Sequence, residues 1–378
     1  MALSRRQTLS ILGGGAILAA GGVGYRVTRK PNAALAPWGL AGSYDDPRKN
    51  ALSYAILAPN PHNRQPWIVD LSEPDTAVLY VDTNRLLPET DPFSRQITIG
   101  LGCFLELGRM AAAEAGQRMS VELFPEGFDD SALDSRPVAV CRFKEGAVKD
   151  PLFQYVMERR SLKEPYDLNR PVAPDILSAV LAAAQGTQVG GTVAEADVID
   201  LRRLTHDALI IEIETPNTHK ESVDLFRIGY REVNANPDGI DFSGPLFEAA
   251  SVTGMFTREA ALDRTSNAYQ QGVAAVTANA DTAMGFIWQV TGTNTRIDQI
   301  AAGRDWLRLN LATTSLGLAT QPMSQALQEY PEMDGLYREV HQKLAPGGGT
   351  VQMLGRIGYG MDVPVSPRWP LDAKIRNG

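Results

Sequence analysis

The sequence predicts an α+β protein made of two related units, and three observations support this prediction. The chain has 378 residues, which is too long for one small hydrophobic core and suits two domains or one large intertwined domain. Stretches with helical periodicity are interspersed with short strand-like runs. The pattern Ile-x-x-Gly opens two long predicted helices, at Ile97–Gly100 and Ile300–Gly303, each preceded by strands and followed by a short strand.

The first half reads as a helix, two strands, a long helix and two further strands. A helix is expected over 45–57, with Asp45 or Asp46 near its N-cap. Three prolines keep 58–67 from being helical. The elements expected next are strands at 67–71 and 77–81, a helix over 94–115, and strands near 119–124 and 137–143.

The second half is expected to be mainly helical, with one charged segment that reads differently. Residues 219–262 are rich in charge, glycine and proline, which predicts an irregular segment that acts as a lid. Gly347–Gly349 is expected to be a turn, because a strand follows it and a phosphate loop needs a helix there. The other expected elements are a helix ending near 158–161, helices over 174–184, 196–213, 296–316 and 331–344, and a strand over 350–359.

Composition excludes several classes of function. The net charge is -8, whereas a nucleic-acid-binding surface needs a positive field. Two cysteines cannot form a disulfide framework. The four histidines are far apart and form no HExxH motif, so neither a structural nor a catalytic metal site is expected. GxSxG and SxxK are both absent from the sequence, which argues against a serine hydrolase.

The first 36 residues resemble a twin-arginine export signal. Arg5 and Arg6 precede a charge-free stretch over 7–25 that holds six glycines, and further basic residues follow it. Ala34-Leu35-Ala36 offers a small-residue cleavage site. The stretch is weak as a membrane span, which needs about 20 strongly apolar residues. Export to the periplasm or cell envelope is therefore expected, with a membrane tether or a cytoplasmic protein as the alternatives.

Two short segments carry residues suited to ligand binding. In Pro59–Trp67 the prolines restrain the backbone, so the amides of Asn60, Asn63 and Gln65 can be held in place to meet the polar edge of a flavin ring. The other interpretation is a proline-rich turn anchored by Trp67. Arg159–Lys163 combines three cations and a hydroxyl, which suits a phosphate; the alternative is a solvated basic helix end.

Together these segments resemble the nitroreductase superfamily, and more specifically its Acg-like branch of fused double units. The resemblance covers about 45–370. Four motifs carry it: Pro59-x-x-x-Asn63-x-Gln65-Pro66-Trp67, Arg159-Arg160-Ser161-x-Lys163, Ser315-Leu316-Gly317-Leu318-Ala319-Thr320-Gln321-Pro322-Met323 and Pro364-x-x-Pro367-Arg368.

The resemblance implies a nitroreductase-like α+β fold, with antiparallel sheets wrapped by helices. Two fused units, 44–150 and 151–378, would form an intrachain pseudo-dimer, with 219–262 inserted in the second as a lid. The first half carries the Asn63 motif and the second carries the Arg159 motif, so each keeps what the other lacks. We therefore expect one FMN per chain, at the interface of the two units.

The resemblance also implies roles for individual residues. Lys163 would lie near N1 and O2 of the flavin, where its charge stabilises the reduced form. Hydride transfer would need no catalytic side chain, because the flavin carries the chemistry. The phosphate would be held by Arg159, Arg160, Ser161 and Arg368. The ring or ribityl chain would contact Asn60, Asn63 and Gln65, and the backbone of Gln321, Pro322 and Met323.

The implied function is that of an FMN-dependent oxidoreductase that transfers a hydride or two electrons. The donor would be NAD(P)H or a quinol, and the acceptor a quinone or a nitroaromatic compound. One alternative is a flavin-sequestering protein whose lid limits turnover. Another is an envelope-anchored interaction protein without flavin. The sequence leaves open whether the chain is a monomer or a dimer.

Overall fold

The computed structural model describes residues 29–377. Arg5, Arg6 and the uncharged stretch of the expected export signal lie outside the described residues. Among the described residues there are twelve α-helices: α1 (Asn32–Leu40), α2 (Pro47–Ala55), α3 (Arg95–Glu114), α4 (Pro174–Leu181), α5 (Glu195–Glu214), α6 (Pro216–Asp224), α7 (Gly229–Ala235), α8 (Pro245–Val252), α9 (Arg258–Leu262), α10 (Asn267–Asp281), α11 (Arg296–Ser315) and α12 (Asp334–Leu344).

The strands of the described chain form two larger sheets and one small pair. Their bounds are β1 (Trp67–Asp70), β2 (Thr76–Val81), β3 (Gln117–Leu123), β4 (Ala139–Glu145), β5 (Gln188–Thr192), β6 (Phe226–Ile228), β7 (Ile240–Phe242), β8 (Gly285–Thr291), β9 (Ala319–Pro322), β10 (Thr350–Gly358) and β11 (Ile375–Arg376). The predicted α+β class, with antiparallel sheets wrapped by helices, is confirmed.

The two larger sheets have the same strand order. The first runs β11-β1-β2-β4-β3 and the second β5-β8-β10-β9. Without β11, each sheet has four strands, and the third of them along the chain, β3 or β9, lies at the edge beside the fourth, β4 or β10. In both, a 20-residue helix, α3 or α11, connects the second of these strands to the third. The C-terminal strand β11 joins the first sheet in parallel to β1, so the end of the chain is attached to the sheet of its first half.

Helices α3 and α11 cross at two glycines, Gly102 and Gly303. A Cβ atom at Gly303 would lie 1.9 Å from Ile99 O, and one at Gly102 would lie 2.3 Å from Ile300 O. Only glycine therefore allows the backbones to approach this closely. The contact is reciprocal and relates Ile99-x-x-Gly102 to Ile300-x-x-Gly303. The pattern that faces Ile300-x-x-Gly303 therefore begins at Ile99, two residues after the predicted Ile97.

Most of the secondary structure expected for the first half is present. Asp46 is the N-cap of α2, and its side chain accepts from the Arg48 backbone N–H at 2.8 Å. The segment before β1 holds only a 3-10 turn, Pro61–Asn63. Trp67 is fully buried, so the interpretation of it as a core anchor is also correct.

Two predictions for the second half were wrong. The residues before Arg159 form only a 3-10 turn, Pro151–Tyr155, rather than a longer helix. Residues 219–262 are largely regular, since they include the end of α6, helices α7 to α9, and the parallel pair β6 and β7. Their local core is aromatic, because Phe226, Phe242, Phe247 and Phe256 pack together. A cluster of four phenylalanines spaced too irregularly for one helical period leaves little periodic signal in the sequence.

Helix α1 joins the residues after the expected signal to the body. Ala34 donates its N–H to Asn234 Oδ1 at 3.1 Å, and its carbonyl accepts from the Arg368 N–H at 2.8 Å. The Trp38 side chain is 6% exposed and donates to Ser366 O at 2.8 Å. Residues 32–36, expected to belong to the N-terminal segment, therefore lie in a packed helix that cleavage after Ala36 would divide. Within 29–377, no helix is both long and apolar enough to cross a membrane.

Candidate functional site

Two buried arginines from distant parts of the chain converge on one carbonyl oxygen. Arg159 Nη2 donates to Leu57 O at 2.9 Å, and Arg368 Nη2 donates to the same atom at 3.0 Å. Leu57 follows α2 of the first half, whereas Arg159 opens the basic motif of the second. Arg159 is further held by Asn310 Oδ1 of α11 at 3.0 Å. The predicted phosphate-binding residues Arg159 and Arg368 therefore lie together.

These two guanidiniums are positively charged groups that the described chain leaves uncompensated. Neither forms an ion pair with any carboxylate of residues 29–377. The buried Nε atom of each has no hydrogen-bond partner there. Burial lowers the pKa of Arg159 to about 10 and that of Arg368 to about 9, and repulsion by neighbouring arginines adds to the effect. Such a pair suits an anion, since buried charges are normally paired.

The loop of Asn63 is strained and is fastened to Arg368. His62, Asn63 and Gln65 have φ values of 46°, 52° and 50°, in the left-handed region that costs a non-glycine residue about 1–3 kcal/mol. Asn63 Oδ1 accepts from Arg368 Nη1 at 2.7 Å, and its Nδ2 donates to Pro367 O at 3.0 Å. The first-half amide motif and the C-terminal arginine thus form one unit.

The other two amides of this loop are used within the chain. Asn60 Oδ1 accepts from the Gln65 N–H at 2.7 Å. Gln65 is fully buried; its Nε2 donates to Pro237 O at 2.6 Å and its Oε1 accepts from the Trp369 N–H at 2.8 Å. Both side chains shape the loop, and their contact with a cofactor stays a prediction.

The basic motif is attached to β9, which holds the other predicted contacts. The Leu162 N–H donates to Thr320 O at 3.0 Å. Arg356, fully buried on β10, donates to Gln321 Oε1 at 2.8 Å and to Glu164 O at 2.7 Å. Through Arg356, Gln321 is tied to the chain just after the basic motif.

The remaining predicted residues differ in their surroundings. Arg160 donates to the backbone oxygens of Met157 and Val363 and lies over the Trp38 ring, 5.3 Å from its centroid. Ser161 and Pro322 are partly exposed. Met323 is 1% exposed and contacts Leu209 and Ala280, so its side chain belongs to a small apolar cluster.

Lys163 is exposed, and its charge acts on a half-buried imidazole and a buried carboxyl. Desolvation lowers the pKa of His62 to about 3, and the charges of Lys163 and Arg64 lower it further. The same lysine acts on Glu212, whose pKa burial raises to about 7. The charge of Lys163 thus acts on the Asn63 loop and on helix α5, which are both distant from it in sequence.

The 219–262 segment is fastened over the Asn63 loop. The Gly239 N–H donates to Asn63 O at 3.3 Å, beside the contact between Gln65 and Pro237. Asp238 is 5% exposed and pairs with Arg64, Arg85 and Arg227. The segment therefore contacts the Asn63 loop, and its role as a lid stays a prediction.

Sequence reasoning missed several residues of the site. Asn310 and Glu212 each interrupt an otherwise apolar stretch of a helix, Leu309-Asn310-Leu311 and Ile211-Glu212-Ile213, and that pattern was a usable signal. Trp38 falls between the expected export signal, 1–36, and the expected first unit, 44–150, so no role was predicted for it. Leu57 contributes only a backbone carbonyl, which no sequence pattern reveals. Over residues 29–377, no group of three His, Cys, Asp or Glu side chains is arranged to hold a metal ion.

Comparison with known proteins places this chain beside mycobacterial proteins of similar length. It is 25% identical over 345 residues to Acg of Mycobacterium tuberculosis, provisionally named an NAD(P)H nitroreductase, covering 86% of this chain and 93% of that protein. A second provisional NAD(P)H nitroreductase of the same organism is 23% identical, covering 86% and 90%. No family profile matches the chain. The two relatives support the resemblance to nitroreductases and the predicted nitroreductase-like fold along nearly the whole chain.

Two solved nitroreductase structures also match the chain, at lower sequence identity than the mycobacterial relatives. A protein of Anabaena variabilis, provisionally named a nitroreductase, is 12% identical with a TM-score of 0.41, covering 90% of this chain and 99% of that one. An FMN-dependent nitroreductase of Mycobacterium smegmatis, crystallised with NADPH, is 20% identical with a TM-score of 0.34, covering 58% and 95%.

Proposed function

We propose that this protein is an FMN-dependent oxidoreductase of the nitroreductase type. The observation that carries the proposal is the convergence of Arg159 and Arg368 on Leu57 O, as buried cations without a carboxylate partner. An FMN phosphate would supply the missing anion. Riboflavin has no phosphate, so the same site distinguishes the two flavins.

The residues present fit such a cofactor. Arg159 and Arg368 would bind the phosphate, with Ser161 beside Arg160 as a further donor. Lys163 would place positive charge near the flavin ring. The strained Asn63 loop would position the side of the cofactor that faces the first half of the chain. When bound, FMN would take up and pass on two electrons. The clamped 219–262 segment would exclude water from the ring.

Two fused nitroreductase-like units with a single FMN site would explain why the two larger sheets have the same strand order. The shared strand order and the reciprocal contact of Gly102 with Gly303 support a pseudo-dimer within one chain. The names of the relatives favour NAD(P)H as the donor and a nitro compound as an acceptor. A quinol donor and a quinone acceptor remain part of the proposal, because export would separate the protein from NAD(P)H.

The test is the visible spectrum of the purified protein, followed by titration of the cofactor-free form with FMN and with riboflavin. We expect flavin absorbance bands and clearly tighter binding of FMN. A colourless protein that binds neither flavin would overturn the proposal. Equal affinity for both flavins would overturn the assignment of Arg159 and Arg368 to the phosphate.

A flavin-sequestering protein is the second candidate, and the lid contacts favour it. The Gly239 N–H donates to Asn63 O, and Gln65 Nε2 donates to Pro237 O. The segment therefore packs directly against the predicted cofactor loop. A lid held this firmly would admit only small acceptors or none. Flavoprotein that is reduced by light but oxidises no NADPH would identify this function, whereas steady NADPH oxidation with a nitroaromatic acceptor would exclude it.

Export through the twin-arginine route completes the proposal for the N-terminal segment. It rests on the sequence pattern at Arg5 and Arg6. Fractionation of cells that express either the natural chain or the Arg5→Lys/Arg6→Lys double variant tests it. We expect the natural chain in the periplasm or envelope and the variant in the cytoplasm, and an equal distribution would count against export.

A further inference from the structure

The indole ring of Trp38 lies beside two of the arginines proposed to bind the phosphate. The guanidinium carbon of Arg160 is 5.3 Å from the centroid of the ring, and that of Arg368 is 5.7 Å from it. Both distances are within the reach of a cation–π contact. Arg160 belongs to the basic motif and Arg368 to the C-terminal motif, so one ring joins the two parts of the proposed phosphate site.

The ring is held in place by contacts of its own. Trp38 is 6% exposed, and its Nε1 donates to Ser366 O at 2.8 Å. Ser366 Oγ in turn accepts from Arg368 Nη1 at 2.7 Å. The indole ring and the guanidinium are therefore fastened to the same residue, which fixes the position of one relative to the other.

Helix α1, which carries Trp38, also holds the backbone of the C-terminal motif. The Arg368 N–H donates to the carbonyl oxygen of Ala34, one helical turn before Trp38, at 2.8 Å. The Ala34 N–H donates to Asn234 Oδ1 of α7 at 3.1 Å. Helix α1 thus connects the phosphate arginines with the 219–262 segment, which contacts the Asn63 loop.

The aromatic contact matters because no carboxylate orients these two arginines. Within residues 29–377, neither Arg160 nor Arg368 forms an ion pair. An aromatic face attracts a guanidinium and restricts the plane in which it lies. A side chain that is already ordered before its ligand arrives loses less freedom on binding, and the affinity is higher for that reason.

We propose that Trp38 is a positioning residue that holds Arg160 and Arg368 in the orientation that binds the FMN phosphate. The inference rests on the proposed function. Trp38 acts through the two guanidiniums, so its effect falls on FMN and not on riboflavin, which has no phosphate. Cleavage after Ala36 would remove the carbonyl that binds the Arg368 N–H, so the FMN-binding form retains the whole of α1.

The experiment titrates the cofactor-free protein with FMN and with riboflavin and compares the two dissociation constants. Trp38→Leu removes the aromatic face, whereas Trp38→Phe keeps an aromatic face and loses only the Nε1 hydrogen bond. We expect Trp38→Leu to lower the preference for FMN about 2- to 30-fold, the range of one cation–π contact. Trp38→Phe should retain most of the preference. Trp288→Leu on β8 is the matched control and should leave the preference unchanged.

Two outcomes of this titration would overturn the proposal. One is an unchanged preference for FMN in Trp38→Leu. The other is an equal loss in Trp38→Phe and Trp38→Leu, because the hydrogen bond to Ser366 would then account for the whole effect. FMN that fails to bind the natural chain would overturn the proposed function together with this role, whereas bound FMN with an unchanged preference in Trp38→Leu would overturn this role alone.

A second readout needs no cofactor. Amide hydrogen exchange over 364–370 in the cofactor-free protein reports how firmly α1 holds the C-terminal motif, since the Arg368 N–H is bonded to Ala34 O. We expect faster exchange in Trp38→Leu than in the natural chain and no change in Trp288→Leu. Unchanged exchange in Trp38→Leu, or an FMN-binding natural protein whose intact mass shows a chain that begins at Pro37, would overturn the role of α1.

Discussion

Arg159 and Arg368 donate to the same atom, the carbonyl oxygen of Leu57, at 2.9 and 3.0 Å. Two like charges share one neutral acceptor, and the Nε atom of each is buried without a partner. The arrangement is costly in the absence of an anion, because buried cations lose their hydration and repel each other. A bound phosphate would relieve both effects, and our first prediction follows from this.

We expect Arg368→Gln to weaken FMN binding more than riboflavin binding, because the loss of the Asn63 anchor affects both flavins and the loss of the phosphate contact affects FMN alone. A hydrogen bond to a charged group is worth about 1.5–3 kcal/mol, so FMN affinity should fall about 10- to 100-fold. Fluorescence titration of the cofactor-free protein with each flavin measures this. Riboflavin serves as the internal control, and Arg170→Gln, an exposed arginine over the Tyr359 ring, as the matched variant. Equal losses for both flavins would point to a damaged fold instead.

The crossing of α3 and α11 predicts a severe effect of Gly303→Ala. The added Cβ would lie 1.9 Å from Ile99 O, which is backbone and cannot move alone. We expect the helices to separate, with a loss of about 3 kcal/mol or more in the free energy of unfolding by urea. Gly272→Ala in α10 is the control, since no atom lies within 4 Å of its added Cβ. Similar stability of both variants would contradict the close crossing.

Asp238 is expected to hold the 219–262 segment closed. It is the shared partner of Arg64 and Arg85 of the first half and of Arg227 of the segment itself. Asp238→Asn leaves Arg64 and Arg227, both partly buried, without a carboxylate partner, while Arg85 keeps its pair with Asp82. Breaking a buried pair by removing one partner typically costs about 3–5 kcal/mol. We expect faster amide hydrogen exchange over 226–242.

The matched control for this variant is Asp224→Asn. Its partner Lys220 is exposed, and a surface pair contributes at most about 1 kcal/mol. Unchanged exchange over 226–242 in Asp238→Asn would show that the aromatic cluster, and not the ion pairs, holds the segment.

The lowered pKa of Glu106 predicts that the free energy of unfolding falls at acidic pH. Burial alone would raise its pKa, yet the hydrogen bonds and charges of Arg109 and Arg304 outweigh burial and lower the pKa to about 2. The stabilisation is therefore present above its unfolded pKa of 4.5 and is lost as the pH falls through about 2. Glu106→Gln should be less stable than the natural chain near neutrality, with the difference shrinking as the pH falls below about 4.

Urea unfolding at a series of pH values measures this difference. Glu114→Gln is the control on the same helix, because its pair with Lys149 is largely exposed. A stability difference for Glu106→Gln that does not vary with pH would contradict the ion-pair assignment.

The sequence predicted the first half of the fold well because its signals are local. The Asp46 cap, the prolines of 58–67 and the long apolar helix over 94–115 each depend on neighbouring residues. The second half was harder. Helix α10 was not recognised, and the strand expected before α11 was given no bounds. Residues 219–262 were taken as irregular, since their core forms from phenylalanines that meet only after folding.

The candidate site shows the same division. The motifs identified Arg159, Arg368 and Asn63, and the structure brings these three together. They did not reveal that Gln65 is already bonded to Pro237 and Trp369. Each of these contacts joins residues far apart in sequence.

By itself, the sequence determined the α+β class, the helices with clear caps, and the residue types that suit a flavin and its phosphate. Only the tertiary structure decided the reciprocal register of Gly102 with Gly303 and the meeting of Arg159 and Arg368 at Leu57 O. The physical reason is that capping and periodicity act within a few residues along the chain. Charge burial and helix approach depend on which distant segments share the same space.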